Sequence, residues 1–203
     1  MSTLIFLEIK DIQAVDLLTR VRSALLQRTS RSPIHITIRG PYKVPPPDQK
    51  LGDIWEIIEG EGVLLHGIGI FEFPDKHVVF LKSHSRAIRK IWWKRDYPII
   101  RFGFNPHITL FEGSPSDAAA VARFLQREQI ELFCREFSLS TYQSWQDDLF
   151  SSPTRTIVRS SPRKSNSVLS NPYRWKSGIE IRAQQLILDL KNNKSRQLDL
   201  DEA

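Results

Sequence analysis

The sequence predicts an α+β fold made of two similar lobes, each with a small antiparallel sheet and flanking helices. Segments with the 3.6-residue apolar period of a helix alternate with segments that have the two-residue period of a strand. The order of these segments in the first half of the chain returns in the second half. With 203 residues, the chain is long enough to bury such a core.

The first half is predicted to contain a strand at 3–9, a helix at 12–28, a strand at 34–39, a short helix at 49–59 and strands at 64–73 and 77–82. In the first helix, Val15, Leu18 and Val21 recur at helical spacing and indicate one buried face. The strand at 34–39 alternates isoleucines with polar residues, so one side is expected to be buried and the other displayed. Gly40 and Pro41 end it.

The second half is predicted to contain a helix at 85–95, a strand at 106–112, a helix at 116–127, a strand at 130–145 and a final strand at 154–159. We divide the chain into a two-lobed domain at 1–162 and a C-terminal extension at 163–203. The start of the extension is rich in Ser, Pro, Asn and Arg, a composition typical of partial disorder. A helix is expected near 179–192.

The composition favours an anionic partner. The formal net charge is +6, and the stretch 151–178 alone holds six basic residues and no acid. That segment is a candidate contact for the RNA backbone. No run approaches the ~20 apolar residues of a membrane span, and Glu8 interrupts the first apolar patch before a signal-peptide core can form. We therefore expect a cytoplasmic monomer with no membrane contact, in which the lone Cys134 is a core residue.

Two near-identical segments carry the chemistry. His35-Ile36-Thr37-Ile38 and His107-Ile108-Thr109-Leu110 lie 72 positions apart in equivalent predicted strands. Residues two apart on a strand share a face, so each segment displays an imidazole beside a hydroxyl. A neutral histidine can accept a proton while a protonated one donates, and hydroxyls can stabilise the non-bridging oxygens of a phosphate. The doubled motif therefore predicts a phosphodiester site, with His35, Thr37, His107 and Thr109 as catalytic residues.

Three further residues are candidates for substrate binding. Arg39 follows on the same predicted face as His35 and could bind phosphate. Tyr42 and Tyr142 could each offer a ring on which a base stacks, although the sequence favours a packing role for both. The remaining histidines have no metal-ligand spacing, and the glycines form no nucleotide-binding fingerprint, so neither metal nor cofactor is expected.

On its two His-x-Thr motifs, the chain resembles the 2H phosphoesterase superfamily, which includes RNA 2',3'-cyclic phosphodiesterases once named 2'-5' RNA ligases. The resemblance covers roughly residues 1–162. It implies a bilobal fold with both motifs in a central groove, and metal-independent cleavage of cyclic or linear phosphodiesters in RNA or nucleotides. Many members of the RNA branch have an arginine two places after the second threonine, where this chain has Phe111; Arg39 holds the equivalent place after the first motif.

Two functions fit these residues. One is an enzyme that hydrolyses a phosphodiester, and the other is an RNA- or nucleotide-binding module that holds phosphate without turnover. Two intact histidines favour the enzyme, because arginine or lysine would serve for binding alone. The exact substrate, and which histidine is the acid, stay open.

Overall fold

The computed structural model describes residues 2–27, 32–93, 105–144, 154–161 and 173–201. Its elements in chain order are β1 (Ser2–Ile9), α1 (Ile12–Leu26), β2 (His35–Tyr42), α2 (Asp48–Ile58), β3 (Val63–Glu72), β4 (His77–His84), α3 (Arg86–Trp93), β5 (His107–Gly113), α4 (Pro115–Glu128), β6 (Glu131–Cys134), β7 (Phe137–Ser144), β8 (Thr154–Ser160), β9 (Tyr173–Arg174) and α5 (Ile179–Asp201).

The strands form two antiparallel sheets. The first has the order β2-β1-β7-β8 and the second the order β5-β4-β3-β6-β9. The edge strands β2 and β5 contact each other where the two sheets meet. The predicted α+β class with two antiparallel sheets is confirmed.

One predicted strand is in fact two. Residues 130–145 were expected to be continuous, but β6 belongs to the second sheet and β7 to the first. The chain crosses between the sheets at Arg135 and Glu136, where no ladder partner is available to their N–H groups. The carboxylate of Asp11 accepts both, at 3.0 Å from Arg135 N and 2.9 Å from Glu136 N. It also accepts from the hydroxyl of Tyr173, at 3.0 Å. A buried side chain thus replaces the missing ladder bonds.

Helices cover the faces of the sheets that carry the core. The buried side of α1 packs against α5 and reaches β5, and α4 packs on β3, β4 and β5. Leu17, Leu18 and Val21 of α1 are fully buried. They follow the helical spacing that the sequence predicted, since side chains three and four apart share a helix face.

The C-terminal helix belongs to this core. Ile179, Ala183 and Ile187 of α5 are buried against α1 and α4. Arg182 donates to both carboxylate oxygens of the buried Glu128, at 3.0 and 2.5 Å. The boundary placed after residue 162 therefore does not separate α5 from the folded body. Apolar residues at helical spacing supply the buried area that the Ser/Pro/Asn-rich segment lacks.

Arg163 and Lys164 of the predicted basic stretch lie outside the residues that the structure describes. Among the helices that the structure describes, none is both long enough and apolar enough to span a membrane.

Candidate active site

The two His-x-Thr segments occupy equivalent places in the two sheets. In the first sheet, Thr37 lies opposite Phe6 and His35 opposite Glu8. In the second sheet, Thr109 lies opposite Phe80 and His107 opposite Lys82. Directly opposed residues of an antiparallel pair share a face. We call the face of each sheet that carries its histidine and threonine the motif face.

Each strand has a bulge immediately after its motif. Ile38 in β2 and Leu110 in β5 have no partner in the register, because Arg39 already opposes Ile5 and Phe111 already opposes Val79. An inserted residue shifts the alternation of every side chain that follows. The side chains two places after each threonine, Arg39 and Phe111, therefore lie on the face opposite the motif face.

The predicted position of Arg39 on the same face as His35 is wrong because of this bulge. The alternation from His35 and Thr37 does not extend to it: Arg39 is only 7% exposed, on the opposite face. Its guanidinium donates to the carbonyl of Ile91 in α3. Tyr42 is also buried on that opposite face, where it pairs with Thr3 and lies under the ammonium of Lys50. Neither residue is brought to the histidines.

Tyr142 does lie on the motif face. It opposes Leu4 in the ladder between β1 and β7, and its ring stacks on Phe6 with a centroid distance of 5.1 Å. Phe6 in turn stacks on His35 at 3.8 Å. The first sheet thus carries a row of three rings that ends in a half-exposed tyrosine.

Both histidines are held in the same way. His35 Nδ1 lies 2.9 Å from the carbonyl of Pro33, and His107 Nδ1 lies 2.7 Å from the carbonyl of Asn105. A carbonyl only accepts, so each Nδ1 carries the hydrogen and Nε2 is left to exchange a proton. Each carbonyl lies two residues before its histidine, which is a local arrangement that the extended chain provides directly.

Phenylalanine rings restrict both imidazoles. Phe6 stacks on His35, while Phe80 and Phe71 each lie 4.8 Å from the ring of His107. The ring of Phe80 lies over Gly69, where a Cβ would come within 2.4 Å of it. The absence of a side chain at residue 69 therefore lets Phe80 reach its place beside His107.

Burial lowers the pKa of both imidazoles below the ordinary value. The hydrogen bond to each backbone carbonyl opposes this effect. For His35, the positive charge of Arg22 lowers the pKa further, the carboxylate of Glu8 raises it, and a charge on His107 lowers it. The strands that carry the two histidines, β2 and β5, contact each other at the junction of the sheets.

Arg22 lies behind His35 and was missed by the sequence analysis. It is 6% exposed and donates to the carbonyls of Ser32 and Pro33, the second of which also accepts from His35. Its Nε has no partner within the described residues. An arginine on the apolar face of α1 was the available signal, because a buried charge needs a polar surrounding.

Glu8 was also missed. This carboxylate is fully buried on the motif face and accepts from Ser140 Oγ at 2.7 Å, Arg155 Nε at 2.5 Å, Arg155 Nη2 and Lys10 Nζ at 3.2 Å. Burial alone would raise the pKa of Glu8, but the hydrogen bonds from Arg155, Ser140 and Lys10 outweigh it and hold the pKa below its ordinary value. A lone acid in the apolar strand β1 was the signal.

The described residues contain no group of three His, Cys, Asp or Glu side chains placed to hold a metal ion. No family model and no curated protein matches the chain.

Proposed function

We propose that the protein is a metal-independent phosphodiesterase that opens 2',3'-cyclic phosphates, at RNA ends or in cyclic nucleotides, by general acid-base catalysis with two histidines. One observation carries the proposal. The two motifs match in register, in the bulge that follows, and in the carbonyl that fixes Nδ1 of each histidine. The resemblance to 2H phosphoesterases supports the same reaction.

In the proposed reaction, one neutral Nε2 accepts a proton from water as the water oxygen bonds to phosphorus. The other histidine, protonated, gives its Nε2 proton to the ribose oxygen as the bond from that oxygen to phosphorus breaks. A ribose hydroxyl and a phosphate monoester result. The first histidine then releases its extra proton to solvent and the second takes one up, which restores the starting protonation states.

Thr37 and Thr109 are assigned to the charge that develops on phosphate. Each hydroxyl lies on the same face as its histidine and could donate to a non-bridging oxygen. The Phe6 and Phe80 rings limit rotation of the imidazoles, so that Nε2 stays directed to the reacting group.

The test uses a cyclic mononucleotide and a short RNA with a 2',3'-cyclic end, each assayed in excess EDTA. His35→Ala and His107→Ala should each lower turnover by at least ~100-fold, as expected for a lost general acid or base. His77→Ala is the matched control, since His77 lies on the other face of β4 and should keep wild-type activity.

Two results would contradict the proposal. Activity lost in EDTA and restored by magnesium or manganese would indicate a metal nuclease. Tight binding of both substrates, with no product from either, would instead identify a phosphate-binding module.

A further inference from the structure

On the motif face of the first sheet, a cluster of three charged side chains lies beside His35: Glu8, Lys10 and Arg155. Glu8 is 0% exposed, while the side chains of its two cation partners, Arg155 and Lys10, are 36% and 39% exposed. One carboxylate between two cations leaves these three side chains with a net charge of +1. The cations are held, yet they remain open to solvent.

Glu8 itself is fully occupied. Its Oε1 accepts from Ser140 and Arg155 Nε, and its Oε2 accepts from Arg155 Nη2 and Lys10. A carboxylate with this many donors stays ionised and has no lone pair directed at a substrate. Its function is therefore to fix the two cations in place.

The cations keep donors for a ligand. Guanidinium has five N–H groups and ammonium three. Within the described residues, Arg155 uses two of its N–H groups on Glu8 and Lys10 uses one. A fixed guanidinium with N–H groups to spare is well suited to bind a phosphate oxygen pair.

The position fits a nucleotide chain that leaves the reaction centre. Glu8 directly opposes His35, so the ion cluster lies about one strand spacing, ~4.8 Å, from the strand that carries the histidine. Arg155 opposes Tyr142, whose ring continues the stack from His35 through Phe6. Phosphate-reactive, aromatic and cationic groups therefore follow one another across the sheet from β2 to β8.

We propose that Arg155 and Lys10, fixed by Glu8, form a second phosphate subsite that binds the phosphodiester on the 5' side of the terminal nucleoside. This inference rests on the proposed function and refines it. The favoured substrate is then an RNA end of two or more nucleotides, because a cyclic mononucleotide has no second phosphate to place there.

The experiment compares a cyclic mononucleotide with a dinucleotide that ends in the same 2',3'-cyclic nucleotide. The wild type should have a higher kcat/KM for the dinucleotide, by roughly 10- to 100-fold, the range of a charge-assisted contact. In Arg155→Met, the ratio of the two kcat/KM values should fall close to one. Arg159→Gln is the matched control on the same strand. Arg159 opposes Leu139 and donates to the carbonyl of Val158, so the ratio should stay at the wild-type value.

Calorimetry gives a readout that needs no turnover. The probes are the mononucleotide and dinucleotide that carry a 3'-phosphate. Arg155→Met should weaken only the preference for the dinucleotide, and the log-log salt slope of dinucleotide binding should become shallower by about 0.7 for one lost phosphate contact. If Arg155→Met does not fold, Lys10→Gln repeats the test at the more exposed partner.

The outcomes separate the two proposals. Equal binding of both probes by the wild type, or an equal effect of Arg155→Met and Arg159→Gln, overturns the subsite even if cyclic phosphates are hydrolysed. A preference for the dinucleotide that depends on Arg155, without hydrolysis of either substrate, supports the subsite and overturns the reaction.

Discussion

Asp11 provides the sharpest test of how the two sheets are joined. Its carboxylate accepts the N–H groups of Arg135 and Glu136 and the hydroxyl of Tyr173, all at 2.9 to 3.0 Å by the shortest contact of each. Asp11→Ala removes the common acceptor, and the three donors are left without a replacement in the described structure. The change should therefore destabilise the crossover between β6 and β7.

The size of the effect follows from the donors. A hydrogen bond to a charged group contributes ~1.5–3 kcal/mol, but the peptide of the exposed Arg135 can recover water, so the total expected loss is about 2–4 kcal/mol. For a chain of this size, that corresponds to a fall in Tm of roughly 5–15 °C. Asp11→Asn should lose less, because an amide oxygen in the place of Oδ2 still accepts from both peptides and the N–H₂ group can donate to the hydroxyl oxygen of Tyr173.

Urea unfolding at constant pH measures the free energy of unfolding directly. Asp16→Ala is the control, since Asp16 is exposed and pairs with Arg20 one helical turn away, at 2.9 Å. Such a surface pair contributes about 0.3–0.5 kcal/mol. Should Asp11→Ala destabilise the protein no more than Asp16→Ala, the crossover does not depend on this carboxylate.

Three further predictions concern the site and the core. Because burial lowers the pKa of both motif histidines, the maximum of kcat/KM should lie on the acid side of about pH 6.5, and a maximum on the alkaline side would refute this. Folding stability should fall as pH drops below about 6.5, where the unfolded chain binds more protons than the folded one. Gly69→Ala should displace Phe80, destabilise by about 1–3 kcal/mol and lower activity, whereas Gly52→Ala, with open space around it, should leave both close to wild type or slightly improved in stability. Ala183→Asp should lower the Tm strongly, because it places a charge in the buried contact of α5. Gln184→Asp, on the exposed side of the same helix, should leave the Tm close to that of the wild type. Equal Tm values for the two variants would show that α5 does not pack on the folded body.

The sequence predicted those parts of the fold in which local pattern and tertiary environment agree. Helices α1 and α4 were found from apolar spacing, and β2 and β5 from alternation. The equivalent strand positions of the two His-x-Thr segments were predicted because the repeated motif fixes its own alternation along the strand. Their shared face follows from strand geometry alone, and the ladders with β1 and β4 agree with it.

Other features could not be read from local pattern. The bulge at Ile38 changes the face of Arg39, and nothing in the residue types marks an inserted residue in a strand. The sheet change at Arg135 depends on Asp11, which is more than a hundred positions away. The partnership of Glu8 with Arg155 is equally distant in sequence, so only the assembled sheet brings the two charges together.

The two halves match in backbone register but differ in the charges beside their histidines, and this difference bears on the proposed mechanism. Glu8 and Lys82 occupy the same register position beside their histidines, as a buried carboxylate in one sheet and an exposed ammonium in the other. The backbone places both imidazoles alike, so in the proposed reaction it cannot by itself assign one as acid and the other as base. The assignment must come from neighbouring charges, because these decide which imidazole keeps a proton at a given pH. The charge of Glu8 raises the pKa of His35 and the charge of Arg22 lowers it. Replacing Glu8 by Gln should therefore lower the pKa of His35, and replacing Arg22 by Met should raise it. The limb of the pH profile that reports His35 should move in opposite directions in the two variants.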